Sequence, residues 1–402
     1  MRLADAQVVV VAPPAPGWGG RYWLLVKVAT DDGIVGWGEC YAAAVGPAAM
    51  TAVIEDVFER HMVGEDPANV ELMGRRAYSS GFTQRADPTV LGAFSGLEIA
   101  CWDIVGKALG RPVWSLLGGR TTERVRAYSY LYPGPEDDGA FWTSPDAQAR
   151  AAARAVEAGW TAVKLDPAGP YTIRGGHQPA VSDIERSAAM CAAIREAVGD
   201  RADILFGTHG QFTASGAIRL GHALIPHRPL WFEEPVPPDD PLAMAEVARA
   251  VPIPVATGER LAGLAEFAAV LRAGAASILQ PALGRAGGLH EGRKIAALAQ
   301  AFGAQLAPHL YAGPVEWAAN LHLCTAIPNV LMAETIETGL HRDLIGGTVA
   351  VEDGAVRLSD APGLGIEVDE VLARAHPYGG DRLHLEMQEA PMDPRGNDFR
   401  GG

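Results

Sequence analysis

Three short apolar runs between residues 203 and 260 end in polar residues, and each is followed by a segment of helical periodicity. The runs read ILFGTHG, LWFEEPV and PVATGER, and they have the length and the branched or aromatic content of buried strands. Because a helix follows each strand, the polar residues gather at the carboxyl ends of the strands. This arrangement is typical of the active face of a barrel enzyme.

The same alternation of strand and helix extends from residue 126 to about residue 337. It predicts eight strands, at Ala127–Tyr132, Ala162–Asp166, Ile204–Gly207, Leu230–Glu233, Pro254–Thr257, Ser277–Pro281, Gln305–Pro308 and Val330–Ala333. The helical segments between them include Asp183–Val198, Ala214–Leu224, Pro241–Val251, Leu264–Ala273 and Leu289–Phe302. Eight strands that alternate with helices predict a closed parallel barrel, which we assign to residues 126–345.

Residues 1–125 have the pattern of a separate α+β unit. Strand-like runs at Tyr22–Thr30 and Ile34–Cys40 are joined by a tight turn with the sequence Asp-Asp-Gly, which predicts a hairpin. Apolar residues at helical spacing from Leu91 to Ile104 predict an amphipathic helix that ends near Gly106. We therefore expect a second folded unit before the barrel.

After residue 345 the chain returns to turns and short strand-like pieces. These include Gly346–Val351 and Pro362–Glu370. A closed barrel offers no further strand position, so we expect residues 346–402 to return to the first unit. The tail after Tyr378 is rich in Asp, Pro, Gly and Met, and we expect it to form a surface arm.

Length and charge narrow the range of functions. A chain of 402 residues suits a barrel of about 250 residues plus a second unit. The net charge of −15, without any run of five Lys or Arg residues, opposes nucleic-acid binding. The early apolar run Val8–Ala12 is too short for a signal peptide or a membrane span, and the dispersed cysteines suggest neither zinc nor disulfides. We expect a cytoplasmic protein that binds neither nucleic acid nor membranes.

Side chains at positions i and i+2 of a strand share a face, so each barrel strand brings one or two groups inward at its carboxyl end. In chain order these positions are Lys164 and Asp166, Gly207 and His209, Glu233 or Glu234, Glu259, Ala282, His309 and Glu334. Lys164 lies between two apolar residues, and burying its ammonium group without a partner charge would be costly. The pattern therefore indicates a functional role for this lysine.

The order of these motifs resembles the mandelate racemase and galactonate dehydratase branch of the enolase superfamily. The matching motifs are Lys-x-Asp, x-x-His, Glu-Glu-Pro, Gly-Glu-Arg, QPALGRAGG, Pro-His and the final Glu, with GWGE near Gly33, IACWD at Ile99 and PGLGIE at Pro362. The resemblance covers nearly the whole chain up to about Tyr378. It implies an α/β fold, a TIM-like (β/α)7β barrel with an α+β capping domain that the N-terminal region and the C-terminal segment form together.

The resemblance also implies a reaction at the carbon next to a carboxylate. In this family the substrate binds Mg²⁺, loses its α-proton and forms an enediolate that the metal and a lysine stabilise. Lys164 matches the lysine that holds the carboxylate, and Glu334 matches the acid that hydrogen-bonds it. His309 matches the general base, and His209 matches the histidine that protonates the leaving hydroxyl group.

Three further residues are interpreted as substrate contacts. Asp166 stands where racemases of the family place a second lysine, which argues against racemisation with two bases; a cap for a helix or loop is the alternative role. Trp18 and Arg21 lie in the loop from which the family's first domain closes over the substrate. The segment Pro167–Gln178 is long for a loop after a barrel strand, and it is either a lid or a disordered surface loop.

Two positions depart from the family's pattern. Glu233 and Glu259 match two of the three carboxylate ligands of the metal, but the third position is Gly207, so Mg²⁺ is expected to bind weakly. Ala282 stands where the family places the Asp that orients the base. His309 is therefore expected to lose orientation, unless another acceptor holds its second ring nitrogen.

We expect an acid-sugar dehydratase, a carbon–oxygen lyase that converts a 2,3-dihydroxy carboxylate to a 2-keto-3-deoxy acid. Two alternatives stay open. One is an epimerase or cycloisomerase that uses the same enediolate, and the other is a catalytically weakened barrel that binds acid sugars without turnover. Because barrels of this family commonly associate, we also expect a homo-oligomer.

Overall fold

The computed structural model describes residues 1–389 except residues 42, 43, 83, 135, 136, 138, 170 and 388. The strands are β1 (Leu3–Val11), β2 (Trp23–Thr30), β3 (Val35–Cys40), β4 (Val125–Tyr130), β5 (Ala162–Leu165), β6 (Asp203–Phe206), β7 (Trp231–Glu233), β8 (Val255–Thr257), β9 (Ile278–Leu279), β10 (Gln305–Leu306), β11 (Ala333–Thr335), β12 (Val351–Glu352) and β13 (Ala355–Val356). The helices are α1 (Pro47–His61), α2 (Val70–Ser79), α3 (Pro88–Leu109), α4 (Val113–Leu116), α5 (Pro145–Glu157), α6 (Val181–Val198), α7 (Ala214–Leu224), α8 (Pro241–Ala250), α9 (Gly263–Ala273), α10 (Leu283–Ala286), α11 (Gly288–Ala301), α12 (Pro314–Ala326), α13 (Gly339–Leu344) and α14 (Glu370–Arg374).

The eight strands from β4 to β11 form a parallel barrel. Strands β4 to β10 pair in chain order, and β11 pairs with β4. A parallel bridge between Leu306 and Val330 joins β10 to the chain just before β11, so the ring of strands is closed. Strand β11 begins at Ala333 instead of Val330, because the chain makes only this single bridge at Val330. The predicted α/β barrel is confirmed.

A layer of apolar side chains, one from each strand or the residue beside it, fills the inside of the barrel. The layer consists of Tyr128, Ala162, Leu205, Trp231, Ala256, Ile278, Ala307 and Met332. Positions two residues later share the inward face and lie nearer the carboxyl ends of the strands. That next layer is Tyr130, Lys164, Gly207, Glu233, Gly258, Gln280, His309 and Glu334. The two-residue period of the strands thus places a layer that contains the polar side chains directly above the apolar layer.

The cap, which consists of β1 to β3 and α1 to α4, begins with an antiparallel sheet in the order β1-β2-β3. The predicted hairpin is present as β2 and β3. Helix α3 does not end near Gly106 as predicted, and it continues to Leu109, where Gly110 with φ 62° stops it. Gly106 permits close packing instead, since a Cβ atom there would lie 2.7 Å from the Cα atom of Gly363.

Helix α3 is also the only helix in the described residues whose length and hydropathy would suit a membrane span. In its most apolar window 78% of the residues are buried inside the protein. A core helix of a folded domain passes the same test of length and composition.

The C-terminal segment returns to the cap. Pro377 bridges Val11 at the edge of β1, and the backbone N–H of Tyr378 donates to the carbonyl of Val10 at 3.2 Å. Beyond Tyr378 most of the described residues are exposed, as expected of a surface arm, but His384 is buried and only 3% exposed. The remainder of the tail, from residue 390, lies outside the described residues.

A buried carboxylate at the end of β3 joins the cap to barrel helix α12. Glu39 is fully buried, and its two oxygens accept hydrogen bonds from the backbone N–H groups of Gly313, Val315 and Glu316. These groups lie at the start of α12, where helix N–H groups lack intrahelical partners and the helix dipole favours a negative charge. The Glu of the GWGE motif therefore holds one barrel helix.

Glu98 of α3 makes an equivalent contact with the start of α11. Its carboxylate accepts from the backbone N–H groups of Leu289 and His290, at 2.7 and 2.9 Å, and from the indole N–H of Trp102 at 2.6 Å. Burial raises the pKa of Glu98 to about 7, and these donors oppose the rise. Two barrel helices thus begin on carboxylates that the cap supplies.

Replacing Glu98 by Ala is expected to weaken this junction by about 3 kcal/mol, because three buried donors lose their acceptor. Amide hydrogen exchange at the start of α11 should become faster and the melting temperature should fall. The control is Glu71→Ala, which removes the exposed ion pair between Glu71 of α2 and Lys294 of α11. This variant should change the free energy of unfolding by less than about 0.5 kcal/mol. Unchanged exchange at Leu289 and His290 in Glu98→Ala would contradict this role.

Candidate active site

Lys164 is the centre of a buried charge cluster at the carboxyl ends of the barrel strands. Its Nζ atom lies 2.7 Å from Oε1 of Glu233 and 3.4 Å from Oε1 of Glu334. Gln280 donates to the second oxygen of Glu233 at 3.0 Å. Burial alone would lower the pKa of Lys164, but Glu233 and Glu334 raise it well above its ordinary value. The lysine is therefore a fixed cation.

His309 lies between two carboxylates. Its Nδ1 atom is 3.1 Å from Oε2 of Glu334 and 3.3 Å from Oε2 of Glu259. Both ring nitrogens are buried, and neither makes a hydrogen bond with the described residues; Nδ1 faces the two carboxylates, and Nε2 faces neither. Burial lowers the pKa of the ring, but Glu259 and Glu334 outweigh burial and raise the pKa above its usual value. Nε2 is the atom that remains for proton exchange with a bound molecule.

His209 forms a second histidine–carboxylate pair. Its Nδ1 atom lies 3.0 Å from Oδ2 of Asp166, and its Nε2 atom lies 4.0 Å from Oε1 of Glu259. The ring of Tyr171 packs against it at 4.1 Å between centroids. Burial opposes protonation, yet Glu259 and Asp166 raise the pKa of His209 to about 9. Asp166, predicted to contact substrate, thus contacts a histidine, and Glu259 lies between the two histidines.

Trp18 and Arg21 are held in the N-terminal loop. The ring of Trp18 packs 4.2 Å from that of Tyr132, which follows β4. Arg21 donates to the carbonyl of Leu383 at 2.8 Å and pairs with Glu386 at 3.3 Å. The structure therefore brings seven of the nine predicted residues into one cluster. Of the other two, Trp18 lies beside the end of β4 and Arg21 contacts the C-terminal tail.

Several contributors were not predicted from the sequence. Gln280 binds Glu233 and could have been found, because it lies two residues after the buried Ile278 on the inward face. Arg285 stacks over the ring of Tyr41 at 4.3 Å and donates to the backbone carbonyl of Glu259 at 3.0 Å. Nothing local in the sequence indicates that contact, since it joins residues of the cap and of two barrel loops.

The second glutamate of the Glu-Glu-Pro motif has a structural contact. Glu234 has φ 39° and forms an ion pair with Arg260, whose Nε atom lies 2.8 Å from Oε2. Glu233, on the inward face, points at Lys164. The strand period therefore separates two adjacent carboxylates, one into the cluster and one onto an arginine.

Mg²⁺ does not fit these residues as they are arranged. The carboxylate oxygens of Glu233 are taken by Lys164 and Gln280, Glu259 faces two histidines, and Gly207 has no side chain to offer. No group of three His, Cys, Asp or Glu side chains suited to a metal ion exists within the described residues. Mg²⁺ demands near-ideal octahedral coordination by oxygen, commonly from one or two carboxylates together with waters, and each carboxylate must have a free oxygen. Here the positive charge that faces the carboxylates comes from lysine and histidine.

Ala282 is fully buried and offers no acceptor to His309. Instead, Glu334 and Glu259 both lie within 3.3 Å of Nδ1. Two carboxylates are therefore near the second ring nitrogen of His309, but neither forms a hydrogen bond with it in this structure.

The comparisons with known proteins agree with this fold. Residues 147–372 match the enolase C-terminal domain-like family, and residues 19–118 match the N-terminal domain of mandelate racemase / muconate lactonizing enzyme. The chain therefore belongs to the mandelate racemase / muconate lactonizing enzyme family of the enolase superfamily, which confirms the resemblance.

Individual relatives are similar over most of their length. A D-galactonate dehydratase of Ralstonia nicotianae is 34% identical over 363 residues, which cover 87% of this chain and 90% of that protein. A D-xylonate dehydratase of Haloferax volcanii is 33% identical over 392 residues, covering 96% and 91%. The crystal structure of a mandelate racemase/muconate lactonizing enzyme-like protein from Roseovarius sp. TM1035 has a TM-score of 0.97 and 68% identity, covering 98% and 100%.

A carboxylate at position 207 is expected to tighten Mg²⁺ binding. Calorimetry should give roughly tenfold or greater affinity for Gly207→Asp than for the unmodified protein, because carboxylate number is a main determinant of affinity for hard cations. A new Cβ atom would lie 3.1 Å from the carbonyl of Leu165 and 3.3 Å from Cε of Lys164. Gly207→Asn shares this crowding without the charge and is the control. Equal affinities in all three proteins would show that the missing ligand is unimportant.

Proposed function

We propose that this protein is an acid-sugar dehydratase, which removes the proton α to a carboxylate and eliminates the hydroxyl group on the next carbon. The observation that carries the proposal is the pair of histidines, His309 and His209, each with a carboxylate near its Nδ1 atom and both beside Glu259. The relatives named D-galactonate dehydratase and D-xylonate dehydratase support the same reaction class.

The elimination needs one base and one acid, and the two histidines supply them. Nε2 of His309, in the neutral form of the ring, takes the proton from C2, and the electrons of that C–H bond pass into the carboxylate group to give an enediolate. The same electrons then form the double bond between C2 and C3. The C3–O bond breaks, and His209 donates a proton to the leaving hydroxyl group, which departs as water. The resulting enol tautomerises to a 2-keto-3-deoxy acid, so the net change is the loss of one water molecule.

Lys164 supplies the charge that this intermediate requires. Removal of the α-proton adds a second negative charge to the carboxylate group, and a buried ammonium stabilises that charge more strongly than a solvated one. In the absence of a bound ligand, Glu233 and Glu334 neutralise the lysine. We assign substrate-carboxylate binding to Lys164, without any step through a metal ion.

Glu334 is better suited to positioning than to contact with a carboxylate substrate. Burial raises its pKa, but Lys164 and His309 outweigh burial and hold the pKa below its ordinary value, so Glu334 is ionised. Two carboxylates repel each other, whereas Glu334 accepts from the backbone N–H of Leu310 at 2.7 Å and faces His309. We therefore assign to Glu334 the orientation of His309 and Lys164.

One alternative has specific support. Gly207 and Ala282 remove two acidic groups that the family uses in catalysis, which favours a weakened barrel that binds acid sugars without turnover. An epimerase or cycloisomerase would share proton abstraction by His309 and would release no 2-keto product. Formation of a 2-keto-3-deoxy acid separates the dehydratase from both alternatives.

The two histidines are expected to have separable effects. His309→Asn should lower exchange of the substrate α-proton with D₂O by at least about 100-fold, because the base is lost. His209→Asn should retain exchange and lose formation of the 2-keto product. Proton–deuterium exchange by NMR and assay of 2-keto acids, with and without Mg²⁺, would measure both across hexonates, pentonates and aldarates.

His290→Asn is the control for these variants, because His290 lies on α11 and contacts the exposed Glu71. Exchange that survives His309→Asn would assign the base to another residue, of which Lys164 is the first to examine. Failure of the unmodified protein to exchange any acid sugar would favour the binding-only barrel.

We also propose a cytoplasmic homo-oligomer whose partner is a small sugar acid, with no nucleic-acid or membrane partner. The support is the family membership together with the charge and motifs of the sequence. Sedimentation at micromolar concentration should show a species of at least twice the chain mass of 42.3 kDa. A single species at the mass of one chain would contradict the oligomer.

A further inference from the structure

The described start of the C-terminal tail passes between two loops that border the candidate active site. We call residues 381–387 the strap. On one side, Arg21 of the N-terminal loop donates to Leu383 and pairs with Glu386. On the other side, Nε of Arg174 donates to the carbonyl of Glu389, just beyond the strap, at 2.7 Å. Arg174 belongs to the long loop after β5, so the strap connects the cap to that loop.

The long loop after β5 is itself held against the site. His177 bridges Phe212 in the segment that follows β6, and its backbone N–H donates to Gln211 at 2.9 Å. Tyr171 of the same loop contacts the ring of His209. The described part of this segment contacts the candidate site through Tyr171, while the choice between a lid and a disordered surface loop stays a prediction. The strap is therefore fastened to both loops that flank the histidines.

The strap inserts one side chain, His384, into the protein. Its ring is 3% exposed and lies among three tyrosines, with centroid distances of 4.9 Å to Tyr41, 5.6 Å to Tyr22 and 6.0 Å to Tyr311. A Cβ atom at Gly20, which has φ +100°, would overlap the imidazole. The N-terminal loop is thus shaped to admit this ring, which a loose surface arm would not require.

The hydrogen bonding of His384 determines which ring nitrogen carries the proton. Nε2 lies 3.1 Å from the carbonyl oxygen of Gly19, and a carbonyl only accepts, so Nε2 is the donor. Burial lowers the pKa of the ring to about 3, so the imidazole is neutral. Nδ1 is therefore a hydrogen-bond acceptor. It is buried and has no partner among the described residues, an unfavourable state that a donor from a ligand would relieve.

The ring of Tyr41 neighbours both His384 and the proposed base. Tyr41 lies 4.9 Å from the His384 ring and 6.0 Å from the His309 ring, while the guanidinium of Arg285 stacks over Tyr41. A sugar acid whose C2 is at His309 extends its remaining hydroxyl groups away from the carboxylate. A hydroxyl group can donate a hydrogen bond to a neutral buried acceptor such as Nδ1 of His384.

We propose that His384 is a specificity-determining residue, whose Nδ1 accepts a hydrogen bond from a hydroxyl group beyond C3 of a polyhydroxylated acid, and that the strap completes the substrate site. The proposal rests on the proposed function in one respect, since His309 defines where C2 lies. A site built to pair with a hydroxyl group rejects the analogue that lacks it, because its own buried group is then left unpaired. His384 therefore gives the barrel a means to distinguish acids by their distal hydroxyls.

The test compares each accepted sugar acid with analogues that lack one distal hydroxyl, by kcat/KM and by equilibrium binding. His384→Phe keeps the ring volume and removes the acceptor. We expect a loss of about 10–100-fold in kcat/KM and affinity for the fully hydroxylated acid, mainly through KM, and little change for one deoxy analogue. His384→Asn, whose side-chain oxygen stands in for Nδ1, should restore part of the preference. The control is Leu385→Ala, since Leu385 follows His384 and is 45% exposed; this variant should keep the preference for the fully hydroxylated acid.

The outcomes separate this proposal from the proposed function. One outcome is that both His384 variants still turn over substrate and lose the same factor in kcat/KM on each sugar acid and on its deoxy analogue. This result would overturn the role of His384 and leave the dehydratase standing. Binding without turnover, with a preference that His384→Phe removes, would overturn the dehydratase and support His384. If the unmodified protein neither binds nor converts any sugar acid, both proposals are wrong.

Discussion

The arrangement of the site depends on the neutralisation of buried carboxylates. Asp166, Glu233, Glu259 and Glu334 meet at the end of the barrel, above a floor that is entirely apolar except for the ring hydroxyl and indole N–H of two aromatic side chains. Charges in such a place persist only when they are paired. Lys164, His209 and His309 provide the positive charge, each within 4.0 Å of at least two of the carboxylates. The catalytic candidates are therefore also the groups that allow the cluster to exist.

The position of the cap over this cluster has its own electrostatic basis. Glu39 and Glu98 accept hydrogen bonds from the first backbone N–H groups of two barrel helices. Asp103 accepts from the backbone N–H groups of Trp37 and Leu364 and pairs with Lys107. Asp103 belongs to the IACWD motif and Leu364 to the PGLG motif, so these motifs are structural contacts and not catalytic ones. Buried ionic contacts of this kind demand defined geometry, since a displaced partner leaves an uncompensated charge.

The sequence predicts the parts of the structure that follow from a local period. Alternation within each strand brings Lys164, Glu233, His309 and Glu334 to one face, and the same rule extends to Gln280. It does not reveal contacts between loops, such as Asp166 with His209, because loop conformation depends on packing far along the chain. The length of α3 was underestimated because Gly106 was read as a helix end, whereas its missing side chain serves packing against Gly363. Composition predicts the exposed tail but does not reveal that His384 is buried, since a single buried histidine leaves no compositional trace.

The two departures from the family's pattern both affect the charges around Lys164 and His309. Without a carboxylate at position 207, no third negative group competes for Lys164, and its ammonium lies against Glu233. Glu259 and Glu334 then face His309, where they occupy the role that an Asp at position 282 has in the family. Restoring only one of the two acids would add a negative charge to a cluster that already holds four carboxylates against three cations.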